Sequence, residues 1–275
     1  MNGSVRVLRL GGLEVGVHRR WLAIVALLVW SLAGFLLPQQ YPDWPAWLHW
    51  LTAVTVSALL AWSVLLHELA HASVARRRGV RPCTLIVCAP GGAPAGWAMP
   101  ARPGDELAIA LAGPAANVVM AAALGGLHWL ASAAGPPATA PLVLGAAINL
   151  MLATLNLLPA YPLDGAHALR AALWFALGDA TRATLLVSSA GRVMGVLLVL
   201  VGVLFIVNEV LLGGSWIVFV GVLFTSAATN VRRSALESPR VEGKARPAQA
   251  FAARREIPLF YRGALIGFVR HGGPT

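Results

Sequence analysis

Two histidines bracket a glutamate in the stretch His67–Glu68–Leu69–Ala70–His71. On a helix, residues four apart lie about 400° apart, so both imidazoles share one face, one turn apart. That spacing lets them bind a single zinc ion at about 2.0–2.1 Å. Glu68 sits beside them and can reach a metal-bound water as general base. The same residues could instead form a polar patch that hydrogen-bonds to neighbouring helices. The surrounding sequence is apolar, however, and ionisable residues deep in an apolar span are expensive enough to need a compensating role.

A catalytic zinc takes three protein ligands and keeps one position open. A further ligand must then come from elsewhere in the chain, at the same depth. His67 precedes Arg76 by nine residues, about 13 Å along a helix. The metal would therefore sit within a membrane, nearer the side that carries the arginines. Asp164 is the best-placed partner, in the stretch from Asn156 to Gly165 that follows the end of another apolar run. Pro159 and Pro162 break the helix there and expose backbone, which is tolerated at membrane depth where it lines a cavity. Taken alone, Asp164 reads equally as a solvated loop aspartate before a glycine turn.

These residues must be held by a membrane protein. Of 275 residues, 58% are hydrophobic and 12% charged, against about 25% charged in an ordinary globular domain. Mean hydropathy is +0.72. So few charges cannot cover a soluble enzyme, and disordered chains are charge-rich and apolar-poor. The net charge of +10 would suggest nucleic acid in a soluble protein. In a membrane protein it marks the loops facing the cytoplasm, and no nucleic-acid partner is expected. Cys83 and Cys88 are too few for a disulfide framework or a zinc ribbon and read as packing residues.

A span needs about 20 apolar residues. Six runs qualify, at about 21–37, 47–75, 106–134, 141–158, 185–212 and 215–229. Arg6, Arg9, Arg19 and Arg20 precede the first. It is too long for a signal peptide and lacks a small-residue cleavage site, so it reads as an uncleaved span. With the N-terminus inside, the inside segments are 1–20, 76–105, 159–184 and 230–275. Every Lys and Arg falls in them except Arg192, which is expected to snorkel. This one-sidedness predicts an all-α polytopic membrane protein with both termini cytoplasmic.

Residues 5–18, 84–99 and 257–269 alternate around Gly11–Gly12, Gly91–Gly92 and Arg262–Gly263. They read as small β-hairpins at the membrane surface. Residues 1–231 would form the membrane-embedded domain. Residues 232–275 would form a basic cytoplasmic tail that opens on a polar linker. His49 and His128 lie near Trp44, Trp47, Trp50 and Trp129, as an outer aromatic belt explains. Asn117 reads as a helix-packing residue, because Gly113–Pro114–Ala115–Ala116 lets another helix come close.

The sequence resembles the site-2 protease family of intramembrane zinc metalloproteases, in its six-span branch. The likeness runs over about residues 5–230. Its carriers are the 67–71 motif, the Gly91–Gly92 hairpin, Glu106 with Ala112–Gly113–Pro114 and Asn117, and the stretch from Asn156 to Gly165. The N-terminal hairpin that ends at His18 also fits. The resemblance implies that Asp164 joins His67 and His71 on one Zn2+ per chain. It implies that Asn156 helps to stabilise the oxyanion, as an amide N–H can. The family usually reads L-D-G-G-R where this chain has Leu163–Asp164–Gly165–Ala166–His167, so the ligand is kept and the arginine is replaced. His167 reads as a cytoplasmic surface histidine or as a partner to the ligand. Residues 79–104 are too few for a PDZ domain, and the tail is too short for paired CBS domains.

The implied function is an endopeptidase that cuts in or near a transmembrane segment of a membrane-protein substrate. This would be regulated intramembrane proteolysis, in the bilayer of a prokaryotic plasma membrane. The alternative is a non-proteolytic scaffold or metal-binding relative, which would not need Glu68. A metal transporter would need more ligands at other depths, and rhomboid-type serine chemistry would need a G-x-S-G motif. The sequence supplies neither. It names no substrate and no oligomeric state.

Overall fold

The computed structural model describes residues 4–10, 13–80, 84–87, 100–237, 256–261 and 264–270. The chain divides into two compact units, Met1–Leu236 and Glu237–Thr275. In the second, strands β4 (Glu256–Tyr261) and β5 (Ala264–Arg270) pair antiparallel, with Ile257 opposite Val269.

The first unit opens with β1 (Ser4–Leu10) and β2 (Leu13–His18), which pair antiparallel with Val5 opposite Val17. β3 (Thr84–Val87) joins β2 in parallel, Glu14 opposite Thr84, to give the order β1-β2-β3. Of the hairpin expected over 84–99, only residues 84–87 are described, as a strand paired in parallel with β2. Gly91, Gly92 and Trp97 lie outside the described residues.

Helix α1 (Arg19–Ser31) runs through a π-helical turn at Leu32–Leu36 into α2 (Leu37–Gln40). The span therefore continues past Pro38, whose missing N–H falls beside the π-helical turn, where the helix departs from regular α-helical bonding. Five long helices follow. They are α3 (Ala46–Arg77), α4 (Pro103–Leu130), α5 (Pro136–Asn156), α7 (Ala180–Val207) and α8 (Leu211–Glu237), with the shorter α6 (Asp164–Leu177) between α5 and α7. Six helical segments are long and apolar enough to cross a membrane, as the apolar runs predict, and the chain is an integral multi-pass membrane protein.

Helix ends follow local chemistry. Pro103 opens α4 with Asp105 and Glu106 in its first turn, where carboxylates suit the helix dipole. Asp179 caps α7 by accepting from the N–H groups of Thr181 and Arg182 at 2.8 and 3.0 Å. Gly178 closes α6 at φ 71°, a left-handed conformation that glycine reaches without strain. α6 is a finding, because residues 159–184 read from sequence as an inside segment. Its buried side carries Gly165, Ala166, Arg170 and Ala171, so an arginine stands where an apolar stripe would have announced the helix.

The helices face lipid with large apolar residues and each other with small ones. Trp30, Trp129, Phe175 and Leu200 are exposed, whereas Ala53, Ala72, Ala110, Ala153 and Ala183 are buried. This is the pattern of bundles that pack by close approach in lipid. α3, α4 and α5 pack on one another, α4 also on α6, and α6 on α7. Between α7 and α8 the backbones touch, since a Cβ on Gly195 would lie 2.8 Å from the carbonyl oxygen of Gly221. Arg192 lies on α7 with its Nε buried and without a hydrogen-bond partner among the described residues.

Candidate metal centre

α3 brings His67 and His71 to its buried side, one turn apart. Their Nε2 atoms are 3.1 Å from each other, with the rings edge to face. Asp164, the first residue of α6, closes a triangle: its Oδ2 lies 3.2 Å from His67 Nε2 and 3.3 Å from His71 Nε2. These three residues form the group that could hold a metal ion among the described residues.

The triangle fits a tetrahedral cation. Bonds of about 2.0–2.1 Å to three tetrahedral corners put the donor atoms about 3.3–3.4 Å apart. Asp164 Oδ2 is buried and, among the described residues, has no well-formed hydrogen-bond partner despite the two nearby nitrogens. Three donor atoms therefore converge on one point. Burial alone would push the Asp164 carboxyl up, but the two imidazoles outweigh it and hold the group well below the usual carboxylate range. It is an anion at neutral pH, as a ligand must be.

α4 backs the histidines. The Ile109 carbonyl accepts from His71 Nδ1 at 2.7 Å, which puts the proton on Nδ1 and leaves the Nε2 lone pair free. Gly113 lies against both rings: a Cβ there would be 2.6 Å from His67 Nε2 and would also collide with His71 Nε2. Gly165 lets α6 begin under the end of α5, because a Cβ would run into the carbonyls of Leu157 and Leu158.

Glu68 lies on the same turn, within electrostatic reach of His67, His71 and Asp164. Asn156 ends α5, and among the described residues its Nδ2 makes one hydrogen bond, to the Leu152 carbonyl at 3.0 Å. His67, His71 and Asp164 are thus brought together, with Glu68 alongside, whereas Asn156 is engaged with its own helix.

A second constellation lies one layer toward the arginine-rich end. Glu106 on α4 and Arg170 on α6 form an ion pair, and they are 4% and 6% exposed. Arg170 Nε also donates to Thr184 Oγ1 on α7 at 2.7 Å, and its guanidinium lies over the Trp174 ring. The other Glu106 oxygen lies 3.5 Å from His167 Nδ1. His167 in turn meets the Tyr161 ring edge to face. Sequence reading noted Glu106 and His167 but did not join them to Arg170. The three lie up to 64 residues apart, and no local spacing links them.

The model of the family described as Peptidase family M50 matches residues 129–201, which include Asn156 and Asp164. Rip3 of Mycobacterium tuberculosis, provisionally described as a zinc metalloprotease, is 35% identical over 92% of this chain and 65% of its own length. A zinc metalloprotease of Methanocaldococcus jannaschii is 27% identical over 74% of this chain and 55% of its own length. The chain thus spans somewhat under two thirds of the length of these relatives. The solved site-2 protease of Methanocaldococcus jannaschii shares the fold, with a TM-score of 0.54 over 84% of this chain and 95% of that one, at 22% identity. The motifs, the fold and these matches agree, and the chain is similar to peptidase family M50, the site-2 protease family.

Proposed function

We propose that the chain is an intramembrane zinc endopeptidase that cleaves a peptide bond in or near a transmembrane segment of a membrane-protein substrate. The observation that carries this reading is the triangle of His67 Nε2, His71 Nε2 and Asp164 Oδ2, 3.1–3.3 Å on a side. Those residues would hold one Zn2+ per chain. A zinc ion so held supplies Lewis-acid polarisation and a water nucleophile at neutral pH. Glu68 takes the proton of the attacking water and returns it to the leaving amine. Asn156 turns its amide from the Leu152 carbonyl to donate to the developing oxyanion.

A substrate helix must unwind to expose a peptide bond. β3 is the last strand in the order β1-β2-β3 among the described residues, and its outer edge would serve for an extended segment to pair on. The chain sits in a prokaryotic plasma membrane with both termini cytoplasmic. Arg76 and Arg77 close α3, Arg102 precedes α4, Arg182 opens α7, and Arg232 and Arg233 lie in the last turns of α8. All of these ends fall on one side of an alternating bundle.

The test pairs two variants against a single-span substrate. Glu68→Gln keeps zinc and loses cleavage, and Asp164→Asn weakens zinc binding. Full cleavage by Glu68→Gln overturns the reading.

A further inference from the structure

Burying two opposite charges is rarely a gain in stability, because desolvation consumes most of the attraction. Glu106 and Arg170 are nonetheless buried together, and their positions point to a use. Glu106 stands one turn before Ile109, whose carbonyl orients His71, and two turns before Gly113, which abuts both imidazoles. Arg170 stands six residues, under two turns, after Asp164, with His167 between them. One side of α4 therefore carries Glu106 and the groups that shape the histidine site. One side of α6 carries Asp164 and both partners of Glu106. The bond from Arg170 to Thr184 ties the same side of α6 to α7.

We propose that Glu106 and Arg170 are positioning residues for the metal ligands. Their ion pair sets the register of α6 against α4 and so brings the Asp164 carboxylate to the two imidazoles. Asp164 arrives from a helix that follows a proline-containing loop, so its distance from α3 depends on how α6 is seated. A guanidinium that reaches a carboxylate and a hydroxyl at once fixes both position and rotation, which an apolar contact does not. The inference rests on reading His67, His71 and Asp164 as ligands, and partners beyond the ligands commonly change metal affinity by about 10–100-fold.

The experiment uses the full chain in nanodiscs. It reads affinity for Zn2+ by chelator competition, the d–d absorption of bound Co2+, and thermal stability. Glu106→Gln and Arg170→Met should each weaken zinc by about 10–100-fold and shift the cobalt bands. The double variant Glu106→Gln/Arg170→Met leaves no orphaned charge and is expected to fold, yet to stay weak for metal. If it does not fold, Arg170→Lys decides, since it keeps the charge, loses the planar fork and should still shift the cobalt bands. A folded double variant with wild-type affinity and an unchanged cobalt spectrum overturns the proposal. So does a loss of thermal stability alone. Wild-type protein that binds neither metal, with Asp164→Asn no different, would instead sink the ligand assignment and this inference with it.

Discussion

His71 Nδ1 donates across 2.7 Å to the carbonyl oxygen of Ile109, on the helix that packs against its own. The bond decides which nitrogen of the ring faces Asp164. It also ties α4 to the proposed metal centre, to which α4 would contribute no ligand. The close approach that allows it depends on Gly113, one turn further along α4.

Gly113→Ala is therefore expected to damage the site without replacing any proposed ligand. The new Cβ would lie 2.6 Å from His67 Cε1 and Nε2, so both rings must turn away or α4 must retreat. Overpacking of this kind costs about 1–3 kcal/mol, and zinc content should fall well below one per chain. Elemental analysis of purified protein checks it. A variant that keeps a full equivalent of zinc would show that the rings have room.

How much of this was legible follows from the range over which each signal acts. The pairing of His67 with His71 is written in a four-residue spacing, and the six spans are written in their own apolar runs. Asp164 could be matched to them by depth, because a span end sets depth along the bilayer. Its convergence to 3.2–3.3 Å could not be read, since that depends on α6 and its seating. α6 itself was hidden because Arg170, which a solvated loop would also carry, occupies its buried side. Gly113 was legible as a point of close approach, and what approaches turned out to be the two imidazoles.

Asn149 and Ser63 join α5 to α3 one turn along α3 from His67. Asn149 Nδ2 donates to Ser63 Oγ at 2.9 Å and to the Gly145 carbonyl at 2.8 Å, while Ser63 Oγ donates to Leu59. A double-mutant cycle of Asn149→Ala and Ser63→Ala should give a coupling of about 0.6 kcal/mol and no more than about 1.7, the range for such bonds between membrane helices. Zinc content should stay at the wild-type level. Unfolding in a detergent titration measures the coupling, and a value near zero would mean the contact adds nothing beyond packing.

Proline placed singly at each position of Thr84–Val87 tests the docking edge. Proline removes a backbone donor and is tolerated on an edge strand when its missing N–H faces outward. Substitutions that leave the protein folded and zinc-loaded should slow cleavage of a transmembrane substrate by raising its apparent KM. Zinc content and cleavage of one substrate, measured on the same preparations, separate docking from folding. Unchanged cleavage at every position would remove β3 from the substrate path.

Tyr161 gives the seating of α6 a signature in pH. Burial pushes its hydroxyl up to about 12, with Arg170 opposing and Glu106 adding to the rise. Unfolded tyrosine ionises near 10. Between those values the unfolded chain binds fewer protons than the folded one, so stability falls as pH rises. Below pH of about 10 the contribution is constant. The loss over the whole interval is about 2–3 kcal/mol, at 1.36 kcal/mol per unit. Tyr161→Phe should flatten this slope and abolish a late step in tyrosinate absorbance. If all three wild-type tyrosines ionise together near pH 10, Tyr161 is open to solvent and the loop before α6 is not packed as described.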